Sequence, residues 1–213
     1  MSRRKLIWYY DFLSPYSYIA HEQLQRLPGD VDLVYTPVLF AGLLKHWGTK
    51  GPAELERQRL FTFRYCHWLA QRKEIAFRTP DAHPFNPLPP LRLSLALNND
   101  PSAVARIFTY LWQDGHIPEQ TAAWNALVDS FADDELRTRI DASEVKQRLR
   151  DNTQLAIEQG VFGVPTFIVA GELFWGQDGF DFLLDYLANP ALFASTEMQR
   201  IARLPVSATR TTR

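Results

Sequence analysis

Two hydroxyl side chains lie three residues apart, directly after a short apolar run near the start of the chain. Residues 11–18 read Asp-Phe-Leu-Ser-Pro-Tyr-Ser-Tyr. Serine is a favoured N-cap and proline a favoured first helical residue, so this segment predicts a helix that begins at Ser14 and Pro15. That end of a helix carries unpaired N–H groups and a partial positive charge, which favour an anion. The Ser14 hydroxyl could therefore donate a hydrogen bond to a cofactor's thiolate, although an ordinary helix cap would use the same residues.

A second segment could bind an extended peptide backbone. Residues 160–167 read Gly-Val-Phe-Gly-Val-Pro-Thr-Phe, with the Val164-Pro165 pair after a long helical pattern and directly before a strand-like run. If the bond in this pair is cis, the backbone of Val164 is free to pair with an extended peptide. Val-Pro-Thr also occurs in plain loops, so this segment alone is only moderately specific.

A third segment could hold the charged end of a small ligand. Residues 171–178 read Gly-Glu-Leu-Phe-Trp-Gly-Gln-Asp. Gly176 permits a tight turn, and Gln177 and Asp178 stand just before the last helical pattern. Groups at that helix start could bind the α-amino and α-carboxyl groups of a γ-glutamyl unit. The alternative is that Asp178 only caps the helix.

Other reactive residue types give weaker predictions. None of the five histidines has a metal-ligand spacing, so we expect no metal site. His46, in a turn-rich region, could act as a general acid or base, contact a substrate, or be a solvated loop residue. Cys66, within a helical pattern, is predicted to be a small buried residue rather than a reactive thiol. Three arginines could bind a carboxylate or form a solvated helix face: Arg57, Arg59 and Arg64.

Composition limits the classes of partner. The 213 residues include 23 Lys and Arg against 24 Asp and Glu, a formal net charge of −1, which gives no bias toward nucleic acid or an anionic membrane. No apolar stretch approaches the roughly 18 residues that span a bilayer. The basic segment Met1–Lys5 is followed by an apolar run that ends at Asp11, too short for the core of a signal peptide. A single cysteine permits no intrachain disulfide. Together these features predict a cytoplasmic protein.

The first part of the chain has the pattern of a strand–helix–strand unit. Lys5–Tyr10 is an apolar, aromatic-rich run typical of a buried strand. A helix is predicted from Ser14 until the Pro28-Gly29 pair ends it, and Val31–Val38 predicts a second strand. Such a unit places two parallel strands in one sheet.

The middle of the chain is helical in pattern, and the end returns to strands. After a turn-rich region, 42–52, helical spacing predominates from Ala53 to Ser143, interrupted by the proline-dense segment 83–90, which we expect to be non-helical. A long helix over Glu144–Gln159 ends at Gly160. The last elements are predicted to be a hairpin and a helix: Thr166–Val169, Glu172–Trp175 and Asp181–Ala188.

These patterns predict an α/β fold with a helical insertion, the simplest architecture for this order of elements. The discontinuous sheet domain takes residues 1–50 and 144–190, and the inserted helical subdomain takes 51–143. A C-terminal extension, 191–213, is predicted to end in a mobile tail from Val206.

Four motifs together resemble one protein family. They are D-F-L-S-P-Y-S-Y, F-N-P-L-P-P-L-R-L, G-V-F-G-V-P-T-F and G-E-L-F-W-G-Q-D, and the match covers roughly residues 5–190. The chain is similar to the 2-hydroxychromene-2-carboxylate isomerases, in the kappa-class glutathione transferase branch of the DsbA-like thioredoxin folds. The resemblance implies an α/β, thioredoxin-like fold, βαβ…ββα, with an inserted all-helical subdomain. Redox relatives carry a cysteine pair where this chain has Ser14 and Ser17, and serines exclude dithiol redox chemistry.

The same resemblance implies glutathione as the cofactor and suggests which residues bind it. Ser14 would contact the glutathione sulfur. Val164, before a cis Pro165, would pair with the glutathione backbone. The γ-glutamyl end would bind to the turn formed by Trp175, Gly176, Gln177 and Asp178.

The family's substrate side is lined by the loop after the second strand, here around His46, and by an aromatic–Asn pair, here Phe85 and Asn86. This chain has Phe85 where a tyrosine can occur. The implied reaction is a glutathione-dependent cis–trans isomerisation of a 2-hydroxychromene-2-carboxylate to trans-o-hydroxybenzylidenepyruvate, by reversible addition of the thiolate, in naphthalene-type catabolism. The resemblance thus implies a small aromatic or unsaturated 2-oxo acid as substrate, and a homodimer as the assembly.

Two other functions stay open on the sequence. A kappa-like glutathione transferase or peroxidase would act on other electrophiles and release a changed product. A cysteine-less binding module of the thioredoxin fold would keep the cis-proline surface and would bind no glutathione.

Overall fold

The computed structural model describes residues 3–208, with a mixed four-stranded sheet at its centre. The strands are β1 (Arg4–Tyr10), β2 (Val31–Pro37), β3 (Thr166–Val169) and β4 (Glu172–Trp175). Their order across the sheet is β2-β1-β3-β4. Strand β1 runs parallel to β2 and antiparallel to β3, and β3 pairs antiparallel with β4.

Helices connect and cover these strands. One helix, α1 (Pro15–His21), joins β1 to β2. The chain between β2 and β3 forms α2 (Phe40–Trp47), α3 (Glu56–Arg72), α4 (Leu88–Ala96), α5 (Pro101–Trp112), α6 (Thr121–Asp129), α7 (Leu136–Asp141) and α8 (Ser143–Glu158). Helices α9 (Gly179–Ala188) and α10 (Thr196–Ile201) follow β4. Every helix within residues 3–208 is too short or too polar to cross a bilayer.

Strand β1 is central because its side chains are buried on both faces. The ring of Trp8 stacks on Phe167 of β3 and on Phe108 of α5, with centroid distances of 6.1 and 6.2 Å. On the opposite face, Tyr9 packs in a second buried cluster with Ile168. The sheet and the helical insertion therefore share one continuous core, and the subdomain boundaries 51 and 143 stay a prediction.

The predicted order of elements is confirmed. The structure has the strand–helix–strand unit, the helical block, the hairpin and the following helix, and the bounds of the strands and of the last two helices of the sheet domain lie within a few residues of the predicted ones. Gly160, predicted to end the long helix, follows α8 with a positive φ of 77°. The α/β class with an inserted helical region is thus confirmed.

The predicted length of the first helix was wrong, since α1 ends at His21 rather than near Pro28. The buried Gln23 explains the early end. Its side-chain amide donates to the Ile19 carbonyl at 3.1 Å, the acceptor that its own backbone N–H would use in a continuing α-helix. The Gln23 N–H bonds instead to Ala20, and a 3₁₀ turn over Leu24–Arg26 follows.

The turn-rich interpretation of residues 42–52 was also wrong in its first half. Helix α2 occupies Phe40–Trp47, with Leu43 buried, and Gly48 ends it in the left-handed conformation. Gly42 permits the packing of α2 on α8, because a Cβ there would lie only 3.0 Å from Thr153 Cγ2. The helix thus depends on a partner more than 100 positions away in sequence.

One further prediction needs correction. Helix α4 includes Pro89 and Pro90 of the proline-dense segment, because the first turn of a helix does not need their missing N–H groups. The C-terminal extension contains a 3₁₀ turn, Pro190–Ala194, and helix α10. The mobile tail predicted from Val206 falls partly on residues 209–213, outside the described residues.

Candidate functional site

Ser14 lies where the predicted cap places it, at the N-terminus of α1, and its side chain is 7% exposed. The Ser17 N–H donates to Ser14 Oγ at 3.2 Å. The hydroxyl of Ser14 points toward the Val164 carbonyl oxygen, 3.5 Å away and 150 positions along the chain. This outgoing bond is long and therefore weak. The hydroxyl proton is thus available to a stronger acceptor, while the oxygen is held by Ser17.

The Val164-Pro165 peptide bond is cis, as predicted, and it faces the Ser14 hydroxyl. Within residues 3–208, the Val164 N–H donates to no acceptor. The neighbouring groups are tied into the sheet. The Pro165 carbonyl accepts from the Gly176 N–H at 2.9 Å, and the Gly163 carbonyl accepts from Thr166 Oγ1 at 2.7 Å. The carbonyl groups on both sides of Val164 are thus hydrogen-bonded, while the N–H of Val164, the residue that Ser14 contacts, has no acceptor in the described structure.

The second and third sequence segments are in direct contact through Trp175. Its indole lies over Gly163, where an added Cβ would be 2.6 Å from Nε1. The Phe162 ring lies 5.0 Å from that of Trp175. On the other side, Trp47 Nε1 donates to the Val161 carbonyl at 2.9 Å. Half-exposed aromatic side chains thus surround the cis-proline loop, and only glycine fits at position 163.

The turn after β4 brings its polar groups to the same end of the sheet. Gly176 has a φ of 88°, which favours glycine. Gln177 is 6% exposed, and its amide makes no hydrogen bond to the described part of the chain. Asp178 stands at the start of α9, but its exposed carboxylate makes no capping hydrogen bond. Capping therefore does not account for this aspartate.

The three residues predicted to face a substrate have different surroundings. His46 is exposed on the last turn of α2, edge-on to Trp47. Phe85 is buried at 5% exposure. Asn86 is exposed, and its Oδ1 accepts from the Leu88 N–H at 3.1 Å at the start of α4. None of these side chains hydrogen-bonds to Ser14 or Val164 within the described range, and their assignment stays a prediction.

Asp11 is a buried carboxylate that sequence reasoning missed as a functional candidate. Its two oxygens accept from the backbone N–H groups of Leu13 and Phe40, at 2.9 and 2.8 Å. Burial raises the pKa of Asp11 to about 7, against the lowering effect of those two donors. Its position three residues before Ser14 was the available signal, but an aspartate after a strand also fits a solvated turn.

A cavity of about 380 Å³ has His83 in its wall, and His83 Nε2 hydrogen-bonds to the carbonyl of Leu13, the residue before Ser14. Phe63, Arg57 and Arg59 line it too, together with the acidic residues Glu56 and Asp81. Neither arginine has an ion pair among residues 3–208, whereas Asp81 of the rim is paired with Arg78. Arg64 lies on the same helix but does not line the cavity.

Cys66 is buried on α3, as predicted. Burial raises the pKa of its thiol to about 12, so the thiol stays protonated at neutral pH. Residues 3–208 contain no group of three or more His, Cys, Asp or Glu placed to hold a metal ion.

The sheet order, the cis-proline and the serine facing it define a thioredoxin-like protein. Residues 5–188 match the family described as DSBA-like thioredoxin domain, and the chain belongs to that family. It is 28% identical, over 180 residues, to a 2-hydroxychromene-2-carboxylate isomerase of Pseudomonas sp. (strain C18), covering 80% of this chain and 84% of that protein. It is 27% identical, over 205 residues, to glutathione S-transferase kappa 1 of Rattus norvegicus, covering 86% and 90%.

A solved structure gives the same result for the fold. The structure of selenomethionine 2-hydroxychromene-2-carboxylate isomerase matches with a TM-score of 0.74 at 21% identity, covering 91% of this chain and 98% of the other. The resemblance predicted from the four sequence motifs is therefore confirmed.

The raised pKa of Asp11 predicts how stability depends on pH. Because the folded protein holds this proton more tightly than the unfolded chain, ionisation of Asp11 costs stability as pH rises from about 4 to about 7. Asp11→Asn removes that cost. We therefore expect the difference in unfolding free energy, Asp11→Asn minus wild type, to increase with pH. Between pH 4 and pH 8 the increase should reach up to about 4 kcal/mol.

Urea unfolding across this pH range measures the difference. Asp185→Asn, at an exposed carboxylate without an ion pair in the described structure, is the matched control and should show no such trend. A difference between Asp11→Asn and wild type that does not vary with pH would contradict the prediction.

Proposed function

We propose that the protein is a glutathione-dependent enzyme that isomerises a small aromatic or unsaturated 2-oxo acid of the 2-hydroxychromene-2-carboxylate type. The observation that carries the proposal is the Ser14 hydroxyl. Its oxygen accepts from the Ser17 N–H, its proton makes only a long contact of 3.5 Å to the Val164 carbonyl, and the Val164 N–H donates to no acceptor in the described structure. The names of the two similar proteins, an isomerase and a kappa-class glutathione transferase, support it.

The groups at the site fit the chemistry of a γ-glutamyl tripeptide. The free Val164 N–H suits a peptide carbonyl, the Asp178 carboxylate suits an ammonium group, and the buried Gln177 amide suits a carboxylate. The Ser14 hydroxyl suits a thiolate. When bound, glutathione would supply a thiolate that can add reversibly to an electron-poor double bond.

Ser14 is proposed to activate the thiol by donating its proton from Oγ in a hydrogen bond. Such a donor favours the anionic form and lowers the thiol pKa. The Ser17 N–H polarises the Ser14 hydroxyl and fixes its direction. Because α1 has only seven residues, the charge at its N-terminus contributes less than a long helix would. The hydroxyl is therefore expected to supply most of the effect.

The cavity beside the loop is the proposed place for the substrate acid. Its apolar lining residues, such as Leu60 and Phe63, suit a flat ring, and Arg57 and Arg59, which have no ion pair among residues 3–208, suit a carboxylate. The positive charge of Arg59 contributes to lowering the pKa of His83, after the larger effect of burial, so the two side chains lie on the same side of the cavity wall.

A homodimer in the cytoplasm completes the proposal. Helix α3 exposes Phe61 and Trp68, 65% and 50% accessible, with Tyr65 between them in ring contact. An exposed aromatic face of this kind favours a protein partner, which we propose to be a second copy of the chain. The cytoplasmic assignment rests on the balanced charge, the short apolar run after Lys5 and the single cysteine taken together.

A transferase that consumes glutathione is the second candidate, favoured by the comparable identity to the kappa-class enzyme. A time course of total glutathione separates the two, because isomerisation leaves it constant and conjugation depletes it. The binding-module alternative predicts that calorimetry detects no glutathione binding.

Ser14→Ala tests the thiol activation. Loss of one well-placed donor costs roughly 10²–10³ in rate, so we expect turnover at neutral pH to fall by about that factor. The bound thiol pKa should move back toward its ordinary value of about 8.5, and activity should partly recover as pH rises. Ultraviolet absorbance of the thiolate in the bound complex, followed against pH, measures the shift.

Ser17→Ala is the matched control, because it removes a buried hydroxyl that has no hydrogen-bond partner in the described structure and leaves the backbone donor to Ser14 in place. If Ser14→Ala has wild-type activity and an unchanged thiolate titration, Ser14 acts only as a helix cap.

Asp178→Ala tests the γ-glutamyl contact. Removal of a charge-assisted hydrogen bond costs about 1.5–3 kcal/mol, so the dissociation constant of glutathione should rise about ten- to hundredfold. Isothermal calorimetry measures it. Asp185→Ala removes an exposed carboxylate of the same helix, away from the turn, and should bind like wild type. Equal affinities for wild type and Asp178→Ala would show the contact to be assigned wrongly.

Arg59→Ala tests the substrate cavity. The KM for an unsaturated 2-oxo acid should rise about tenfold, because a charge-assisted contact is lost, while the glutathione affinity stays unchanged. Arg64→Ala, an exposed arginine of the same helix outside the cavity, is the control. An unchanged KM in Arg59→Ala, or an equal rise in Arg64→Ala, would show that the substrate acid does not bind in this cavity.

A further inference from the structure

The loop that carries Ser14 is held from outside by two side chains of the helical insertion. His83, in the segment before α4, hydrogen-bonds through Nε2 to the Leu13 carbonyl at 2.9 Å, across 70 positions. Trp112, at the end of α5, donates from Nε1 to the Phe12 carbonyl at 2.8 Å, across 100 positions. A carbonyl oxygen only accepts, so the His83 ring carries its proton on Nε2.

Two N–H groups of the same loop, those of Leu13 and Ser14, find acceptors within the loop itself. The Leu13 N–H donates to the Asp11 carboxylate, and the Ser14 N–H donates to the Asp11 carbonyl at 3.1 Å. The peptide groups between Phe12 and Leu13 and between Leu13 and Ser14 therefore have both their N–H and their carbonyl hydrogen-bonded. Without Trp112 and His83 of the helical insertion, the carbonyl groups of Phe12 and Leu13 would have no hydrogen-bond partner within the described structure.

His83 makes this contact at a cost that a purely apolar residue would avoid. Its ring lies among Phe63, Phe85 and Trp112, at centroid distances of 4.9, 5.9 and 6.0 Å. Its Nδ1 is buried without a hydrogen-bond partner in the described structure. A hydrocarbon would fill this aromatic pocket without an unpaired polar atom. The Nε2 contact to Leu13 is therefore the contribution that only a donor side chain can make here.

We propose that His83 and Trp112 are positioning residues for Ser14. They fix the two peptide planes directly before it, and so set the direction in which its Oγ presents the proton. The consequence for catalysis rests on the proposed function, whereas the ordering of the loop does not depend on it. The helical insertion would thus orient the Ser14 hydroxyl through its contacts to the loop, in addition to packing against the sheet.

Paired variants of His83 test the inference. His83→Gln keeps an amide N–H near the place of Nε2, and His83→Leu keeps bulk without a donor. The first readout needs no ligand. Hydrogen exchange of the Leu13 and Ser14 amides, followed by NMR, should be about five- to tenfold faster in His83→Leu and close to wild type in His83→Gln.

The second readout is the thiol pKa of bound glutathione, with kcat and KM measured separately. His83→Leu should raise the thiol pKa and lower kcat about tenfold with little change in the KM for glutathione, and His83→Gln should restore both. If His83→Leu fails to fold, Trp112→Phe removes the second donor while keeping an aromatic ring, and the same exchange of Leu13 and Ser14 should increase.

The outcomes separate the two proposals. Faster exchange in the donor-less variants, with no glutathione binding by the wild type, supports the positioning role and overturns the proposed function. Wild-type exchange in both donor-less variants overturns the positioning role. A second outcome also overturns it: His83→Leu loses kcat, His83→Gln does not restore it, and amide exchange in His83→Leu stays at the wild-type rate.

Discussion

The carboxylate of Asp11 connects the two loops that leave the carboxyl ends of β1 and β2. One oxygen accepts from Leu13, just before Ser14, and the other from Phe40, at the start of α2. A buried carboxylate is costly unless such donors surround it. Because both donors are backbone groups, Asp11 ties the main chain just before α1 to the first residue of α2.

The helical insertion depends on the same arrangement from the other side. Its aromatic residues pack on β1, where Trp8 stacks against Phe108, and this packing brings Trp112 and His83 beneath the Ser14 loop. An aromatic core can carry such polar contacts because indole and imidazole rings combine a large apolar surface with one N–H donor. Core packing and placement of the candidate site are therefore achieved by the same side chains.

A serine in place of a redox cysteine changes which partner must supply the chemistry. Within residues 3–208 the Val164 N–H of the cis-proline loop has no acceptor, and Trp175 lies over Gly163, between that loop and the turn after β4. A surface with these features can align a peptide-like cofactor but offers no thiol of its own, since Cys66 is buried on α3 with its pKa raised by burial. The proposed reliance on a bound thiol follows from that difference.

The sequence by itself determined the features that rest on local rules. The Ser14 cap, the strand before it, the hairpin and the Val-Pro pair are set by residues within a few positions of one another, and the four motifs were enough to identify the family. The early end of α1 was not predictable, because it depends on the side chain of Gln23 being turned back onto Ile19.

Tertiary structure decided what depends on distant contacts. Helix α2 formed where a turn-rich loop was expected because Gly42 lets it pack on α8. The roles of Asp11 and His83 were hidden for the same reason. A carboxylate or an imidazole reveals its partner only when backbone groups from other elements come within hydrogen-bond distance, and for His83 that partner lies 70 positions away.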